Sequence, residues 1–529
     1  MIILFKITYN SISGVLVRNS LSGDGPTTTS ERAKNIASGI RSLTIQNLVN
    51  SILGFVFLGL LTRLLSPSEF GLYTAVGLVV GVGSSTATFG LQSAATRFVA
   101  FMAHDDGESR VISRSILVLS LIFTSAATIV FILLSPVLSL YFTKSAGSAW
   151  IFATGGAWLF SITISGIFQG LVQGMKKYAS LARILMSANL AMVCLTVLGL
   201  LVLHSVIVPI IAWVFYGALI CFGSLVITRE GLLPAKSART PGQTFKQVIR
   251  FSIPLGIAGI LTVATNIADP MVVGGLLNET RLGAYNLAIS ITGGLGAILF
   301  SPLNTAFFPE TSSSAGDPKQ LSTGLRLAFR YSLLALVPVS FAVAALSKQF
   351  INLFSGGGSS YLAANVPLQL MACFFLFIAM QGIPTSLLLS TGRTTQVMLI
   401  GIVTVVLDLT LSLSLVPSFG LLGATTSRIL VDIAGFLMAV YLIRSYLAGV
   451  ADVVFYAKVL IMSFIMLAVL YSLSTFVSNG TATLIPYAIV GGAILFLCVR
   501  GFGLLTEEDK RYLEHSMPSR FGRLMRLLG

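Results

Sequence analysis

Long apolar runs, broken only by short polar interruptions, pattern this chain from about residue 43 to residue 500. Runs of membrane-spanning length lie near 43–64, 70–97, 115–142, 149–172, 183–203, 206–228, 250–275, 283–308, 326–353, 361–390, 395–416, 421–444, 453–477 and 482–500. An α-helix needs roughly 20 apolar residues to cross the hydrocarbon core of a bilayer. The runs predict helices rather than strands, because an open sheet would leave backbone groups unpaired in lipid. The division between 183–203 and 206–228 rests on His204-Ser205, a short polar break read as an exposed turn. Span 7 carries Pro254 and Asp269-Pro270, which predict an interrupted helix. None of the interruptions is long enough for a soluble domain. The largest, Arg229 to Arg250, contains Pro234 and Pro241 and separates two sets of six runs.

The pattern repeats itself. Leu64-Leu65-Ser66-Pro67-Ser68-Glu69-Phe70-Gly71-Leu72-Tyr73 is echoed by Leu276-Leu277-Asn278-Glu279-Thr280-Arg281-Leu282-Gly283-Ala284-Tyr285, offset by 212 residues. Each copy is a tight turn between two spans. A weaker echo aligns Gln173-Gly174-Met175-Lys176 with Thr391-Gly392-Arg393-Thr394. Parallel repeats of about six helices are a common plan of secondary transporters. The expected fold is therefore an all-α polytopic membrane protein. It has about 14 transmembrane helices, in two parallel-repeated six-helix lobes plus two C-terminal helices. The expected divisions are a mobile cytoplasmic tail (1–40), a first lobe (41–230), a cytoplasmic connector (231–249) and a second lobe (250–447). Helices 13 and 14 follow (448–503), then a cytoplasmic tail (504–529). In that tail Arg520, Arg523 and Arg526 stand opposite an apolar stripe, which reads as a basic amphipathic helix lying on the membrane. Gly77, Gly81 and Gly83, and Gly293, Gly294 and Gly296 in the equivalent helix, mark small faces for close packing or a central cavity.

Composition sharpens the class. Hydrophobic residues make up 55% and charged residues 10%, against about 25% charged in soluble domains; mean hydropathy is +0.92. The net charge of +15 raises the question of nucleic acid, and its placement answers it. With the N-terminus inside, all of the 33 lysines and arginines except Arg63, Lys144, Arg281, Lys348 and Arg428 fall on cytoplasmic segments or span ends. The positive-inside rule then sets both termini in the cytoplasm of a multi-pass cell-membrane protein. The basic surplus faces anionic lipid, not nucleic acid. Cys194, Cys221, Cys373 and Cys498 lie within spans without metal-ligand spacing and read as apolar packers. The acidic loop His104-Asp105-Asp106-Gly107-Glu108 has no second ligand cluster, so no metal is expected. Asn278-Glu279-Thr280 and Asn479-Gly480-Thr481 match the glycosylation sequon. There is no phosphate-binding loop and no nucleophile elbow, which argues against an ATPase or a glycosyltransferase.

Charge inside a span costs roughly 2.5–3.5 kcal/mol on insertion scales, so each instance asks for a reason. Arg63, just before the first motif, and Arg97, at the far end of span 2, either snorkel to the headgroups or present cations to a cavity. Arg281 belongs to the second motif. Asp269, deep in span 7, is a functional carboxyl or a hydrogen-bonded structural one. Asp408 lies mid-span 11. Arg428 and Asp432 lie four apart on span 12, where they can pair; with Asp408 they form a three-charge cluster or a structural lock.

Arg63 through Tyr73 resembles the R-L-L-x-P-x-E-F/Y-G-x-Y signature of the polysaccharide and oligosaccharide flippases. These belong to the multidrug/oligosaccharidyl-lipid/polysaccharide exporter superfamily. Asn266-Ile267-Ala268-Asp269 followed by Gly283-Ala284-Tyr285 is similar to the start of that family's second half, although Pro270 stands where a basic residue is common. The resemblance runs from about Ile40 to Cys498. It implies a secondary transporter, not an enzyme. The cargo would be a polyprenyl phosphate- or pyrophosphate-linked oligosaccharide, moved from the inner to the outer leaflet by alternating access of two lobes. Arg63, Arg97 and Arg281 would then meet the anionic headgroup. Asp269 and Asp408 would couple transport to H⁺ or Na⁺, and Arg428 and Asp432 would form a structural pair. No cofactor is expected; the expected partners are the lipid-linked glycan, membrane lipids and glycan-assembly enzymes. The alternatives within the superfamily are a cation-coupled multidrug exporter and a lipid II-type flippase. A glycan polymerase or ligase would carry a long outer loop, which is missing.

Overall fold

The computed structural model describes residues 28–101, 106–229, 241–299, 318–357, 359–447, 452–476 and 484–504. The first part of the N-terminal tail, most of the connector's proline-containing stretch, residues 300–308 of span 8, His104-Asp105, the Asn479 sequon and the basic C-terminal tail lie outside these residues. The described residues contain no strand. They form α1 (Thr28–Leu64), α2 (Pro67–Thr88), α3 (Leu91–Phe101), α4 (Asp106–Thr143), α5 (Ala149–Gly174), α6 (Tyr178–Leu203), α7 (Ile207–Thr228) and α8 (Pro241–Leu276). These are followed by α9 (Glu279–Leu299), α10 (Pro318–Ala345), α11 (Ser347–Ser355), α12 (Asn365–Ser390), α13 (Thr394–Phe419), α14 (Leu421–Leu442), α15 (Val453–Phe476) and α16 (Leu484–Gly501). Among the described residues 13 helical stretches are long and apolar enough to cross a membrane. The remaining expected span, 283–308, is represented by α9, whose continuation lies outside the described residues. Helix already begins at Thr28, within the segment that reads as a tail, and again at Pro241, within the connector.

Polar side chains are accommodated in these apolar rods by bonding back to the helix. Thr62 donates to the Leu58 carbonyl at 2.9 Å, Thr74 to Phe70 at 2.8 Å and Thr196 to Met192 at 2.8 Å. A hydroxyl satisfied four residues back carries no desolvation penalty into lipid.

Two helices depart from the sequence pattern. Span 2, an uninterrupted run at 70–97, is broken between α2 and α3 by Phe89 (φ 38°) and Gly90 (φ 77°), both left-handed. α8 fills the notch. A Cβ on Gly90 would press on the Ser252 carbonyl, and one on Gly256 would meet Phe89. Close docking against α8 offsets the strain of a left-handed phenylalanine, and a local apolar pattern has no means of signalling it. Span 7, by contrast, runs as helix through Pro254 and Pro270. Each proline removes one rung of the ladder, which a membrane helix tolerates where neighbours re-satisfy the freed groups.

The chain divides into two compact units. The first takes Ser38–Asn286 with Val405–Ala424, and the second takes Leu287–Thr404 with the described parts of Met1–Ala37 and Thr425–Gly529. In the first unit, Leu91, Ala94, Ala95 and Phe98 of α3 pack with Ile112 and Ile116 of α4, Ile167 and Leu171 of α5, and Val248 of α8. α3 lies in a groove of glycines spaced by four on α5. A Cβ on Gly170 would strike the Gln92 carbonyl and one on Gly174 would strike Val99, while Thr96 donates to the Gly170 carbonyl at 3.2 Å. α7 crosses α5 in the same way, with Gly217 against Ser161 and Ser161 Oγ donating to the Val214 carbonyl at 2.7 Å. Small residues let backbones approach where lipid offers no hydrophobic drive for helix association.

The second unit is built around α10. Leu321, Leu325 and Phe329 pack with Phe375 and Ile383 of α12, Ile400 of α13 and Ala439 of α14. Val337 and Phe341 pack with Phe455, Val459 and Met462 of α15 and Val499 of α16. Arg330 donates to the Leu504 carbonyl at 2.9 Å and Lys458 to the Phe502 carbonyl at 2.8 Å. These two cations cap the carboxyl end of α16, where helix carbonyls lack partners and the dipole favours positive charge.

The weaker sequence echo is a helix-ending turn in both places. Lys177 N–H reaches the Val172 carbonyl around left-handed Lys176, and Arg393 N–H reaches Leu388 around left-handed Gly392. The turns superpose Lys176 on Gly392, two residues away from the register of the sequence echo.

Candidate functional site

The duplicated motif is where the first unit brings its two repeats together. In the first copy Ser66 caps α2 as a capping box, accepting from Glu69 N–H while the Glu69 carboxylate accepts from Ser66 N–H at 2.9 Å, and Pro67 opens the helix. In the second copy Asn278 Oδ1 accepts from Arg281 N–H at 2.8 Å at the start of α9. Each cap therefore uses a different residue for the same orphan donors.

The two helix starts cross at their glycines. A Cβ on Gly71 would fall on the Glu279 carbonyl, and one on its repeat mate Gly283 would fall on the Pro67 carbonyl. Ser68 Oγ lies 3.1 Å from Glu279 Oε1 and donates to it. Asn286 Nδ2 donates to Thr74 Oγ1 at 3.1 Å, and these two are also repeat mates, 212 residues apart. Contacts between equivalent positions are what a local two-fold relation produces. The motif glycines are thus a reciprocal latch between α2 and α9. The sequence displayed the repetition but not that its two copies touch.

The motif tyrosines diverge. Tyr73 accepts a hydrogen bond from Trp213 Nε1 at 2.7 Å and stacks on Trp158, which stacks in turn on Trp213. Phe57 meets the Tyr73 ring edge-on at 6.4 Å. The repeat mate of Phe57 is Asp269. There Tyr285 donates to Asp269 Oδ2 at 2.5 Å, and both side chains are fully buried (0% exposed). One repeat holds an aromatic where the other holds a carboxyl. Tyr285 was visible in the sequence only as part of the motif; its link to Asp269 needed the fold.

The end of α8 beside Asp269 is strapped to α4. Lys144 Nζ donates to the Tyr141 carbonyl at 2.9 Å and to the Gly275 carbonyl. Tyr141 Oη donates to the Met271 carbonyl at 3.3 Å, and Phe142 lies against Gly274. Lys144 stood out as a cation away from the connector side; it closes two helix C-termini at once.

The other expected residues are distributed. Arg63 and Arg281 are exposed at the motif end, and Arg63 is not free of partners. Arg97 is exposed on α3, its guanidinium 4.3 Å from the Phe251 ring centre. Between Arg63 and Arg97 stands the whole of α2, 22 residues or about 33 Å. The arginines thus form two stations, not one. Asp408 is 2% exposed and accepts from Ser412 Oγ at 3.2 Å. Arg428 and Asp432, one turn apart on α14, are half-buried and both engaged. Among the described residues no three His, Cys, Asp or Glu side chains gather as a metal site.

Asn47 of α1, Thr86 of α2, and Thr262 and Asn266 of α8 are polar and exposed inside apolar helices of the first unit. Gly54, Gly81 and Gly259 on the same three helices have open space where a Cβ would go. Thr262 and Asn266 each bond back to the carbonyl four residues earlier, at 2.9 and 2.8 Å, which leaves the carbonyl of Asn266 and the hydroxyl lone pairs of Thr262 for water or a solute.

Residues 60–366 match the model of a family described as polysaccharide biosynthesis protein. The chain is similar to an uncharacterized membrane protein of Methanocaldococcus jannaschii, 24% identical over 286 residues that cover 51% of this chain and 54% of that one. It is also similar to the probable low-salt glycan biosynthesis flippase Agl15 of Haloferax volcanii, 23% identical over 244 residues, 44% of this chain and 49% of that one. The chain spans about half the length of these curated relatives. Among solved structures, the lipid II flippase MurJ in an inward closed conformation superposes with TM-score 0.72 at 14% identity, over 87% of this chain and 98% of MurJ. An inward-facing multidrug resistance MATE family transporter of the MOP superfamily superposes with TM-score 0.62 at 15% identity, over 78% of this chain and 98% of that one. The helix arrangement is therefore the fold those two structures share. With its many apolar helices and the family model covering more than half its length, this multi-pass membrane protein belongs to the polysaccharide biosynthesis protein family.

Proposed function

We propose that the protein is a flippase that moves a polyprenyl phosphate- or pyrophosphate-linked oligosaccharide from the inner to the outer leaflet by ion-coupled alternating access. The carrying observation is the exposed pair Thr262 and Asn266 in the middle of the apolar length of α8, with Asn47 and Thr86 exposed near the ends of the spans in α1 and α2. The hydroxyls are satisfied by the helix, but an amide such as Asn266 has more polar atoms than its one bond back to Thr262 engages, and it favours water or a polar solute beside it. A glycan supplies that solute, and its lipid tail can remain in the bilayer. The family membership and the likeness to Agl15 support a glycan over a hydrophobic drug. Arg97 suits a station for the anionic headgroup at one end of the path, and Arg63 and Arg281 suit another at the opposite end. Asp269 and Asp408, both buried carboxyls, are the coupling candidates for H⁺ or Na⁺; Arg428 and Asp432 are the structural pair. Both termini are cytoplasmic in this reading. Membrane lipids and the enzymes that assemble the glycan are its partners.

Expression in cells that lack their own lipid-linked glycan flippase tests the reading. Surface glycan should return, and Arg97→Ala should reduce it at unchanged protein level. Resistance to cationic dyes without any return of glycan would replace the flippase with a drug exporter.

A further inference from the structure

The latch and the buried carboxyl share one short helical segment. Within the first two turns of α9, Glu279 accepts from Ser68, Gly283 seats against the Pro67 carbonyl, Tyr285 donates to Asp269 and Asn286 donates to Thr74. The segment therefore faces α2 through Glu279, Gly283 and Asn286, and α8 through Tyr285 and through Leu282, which packs on Gly274. α8 is held from another side, because Lys144 and Tyr141 of the α4 end bond the carbonyls of Gly275 and Met271. Directly after Asn286, α9 passes out of the first unit. A pull on α9 that opens the latch therefore peels it from a helix that stays strapped to α4. The Tyr285–Asp269 bond is a polar link across that peel.

We infer that Tyr285 is a positioning residue that ties the charge state of Asp269 to the latch. This rests on the proposal that Asp269 is a coupling carboxyl. With the latch closed, the Tyr285 hydroxyl supplies a donor to Asp269 Oδ2. With the latch open, the hydroxyl leaves with α9, and Asp269, still inside the membrane, is short by one donor. A buried carboxylate that loses a donor is costly, and binding a cation from water removes the cost. Cation uptake therefore favours the open latch, and cation release favours the closed one. The first repeat lacks the device. Its tyrosine, Tyr73, has Phe57 at the carboxyl's position and takes its hydrogen bond from Trp213 instead.

The latch can be read by oxidative cross-linking. Cysteines replace Ser68 and Glu279, whose side chains meet, in a protein whose four native cysteines are changed to alanine. In proteoliposomes, proton and sodium gradients are imposed separately; cross-linking should respond to whichever one Asp269 uses. Tyr285→Phe should lower cross-linking about tenfold, the loss of one hydrogen bond to a charged group, and abolish the response to the gradient. Asp269→Asn removes the charge the hydroxyl serves, as cation uptake does, so it should lower cross-linking toward the cation-loaded level and lose the response. Tyr73→Phe loses the same hydroxyl in the other repeat and should keep the response, which separates coupling from packing. If Tyr285→Phe does not fold, Tyr285→Phe/Asp269→Asn takes its place and should match Asp269→Asn in basal cross-linking, because the hydroxyl acts through the charge; a further tenfold loss would make Tyr285 a packing residue and overturn the inference. A full-sized gradient response in Tyr285→Phe, with the response lost in Asp269→Asn, overturns the inference alone. A response retained in Asp269→Asn overturns the coupling role of Asp269 and this inference with it.

Discussion

Gly71→Ala is the smallest change that tests the latch. The added methyl would lie on the Glu279 carbonyl, a backbone atom inside the first turn of α9, with Gly283 N–H close behind. Backbone on both sides leaves no flexible side chain to yield. Overpacking of this kind costs about 1–3 kcal/mol. Separating the helices also strains the Ser68–Glu279 and Asn286–Thr74 bonds, worth about 0.5–1.5 kcal/mol each. Against these losses, alanine is about 1 kcal/mol better than glycine inside a helix. The net is about 1–5 kcal/mol against the closed crossing, or at least about fivefold in its population. Hydrogen–deuterium exchange of the first turns of α2 and α9 measures it directly, and Gly71→Ala should speed exchange there by that factor. Gly81, ten residues along the same helix, has nothing within 4 Å of a built Cβ. Gly81→Ala should leave exchange unchanged or slow it slightly. Equal exchange in wild type and Gly71→Ala would refute the latch, since the overlap would then be relieved at no cost.

Other expectations follow from the same contacts. Gly170→Ala places a methyl on the Gln92 carbonyl and should lower the melting temperature through a loss of about 1–3 kcal/mol, with α3 the first segment to lose protection. Lys144→Met removes the donor to the Tyr141 and Gly275 carbonyls and should cost about 1–2 kcal/mol, seen as faster exchange at the ends of α4 and α8. Arg428→Met should destabilise the second unit by stranding Asp432, and Arg428→Met/Asp432→Leu should melt higher than the single variant; a lower melting temperature for the double variant removes the pairing. Single cysteines at Ala235 and Gly357 should label from opposite sides of the membrane, Ala235 from the cytoplasm; labelling from the same side would refute the positive-inside topology.

What the sequence determined by itself was the class, the spans and the repeat. These are local properties. Twenty apolar residues make a membrane helix whatever surrounds them, and His204 divides its two helices because a left-handed cap (φ 42°) ends α6 there. The Ser66–Glu69 capping box came from the structure, although all its atoms lie within one turn. Tertiary structure decided the rest. Span 2 breaks at Phe89-Gly90 because α8 docks into the gap, a stabilisation absent from any window of α2. The prolines of α8 do not interrupt it, an outcome a membrane helix reaches only where its surroundings tolerate the lost rungs. Asp269 was found by its cost in the membrane, but its partner Tyr285 lies across the α8–α9 turn and was legible only as a repeated letter. The reciprocal fit of Gly71 and Gly283 is the plainest case. The repeat announced two equivalent turns, and only the packing of one repeat on the other decided that they serve as each other's partner.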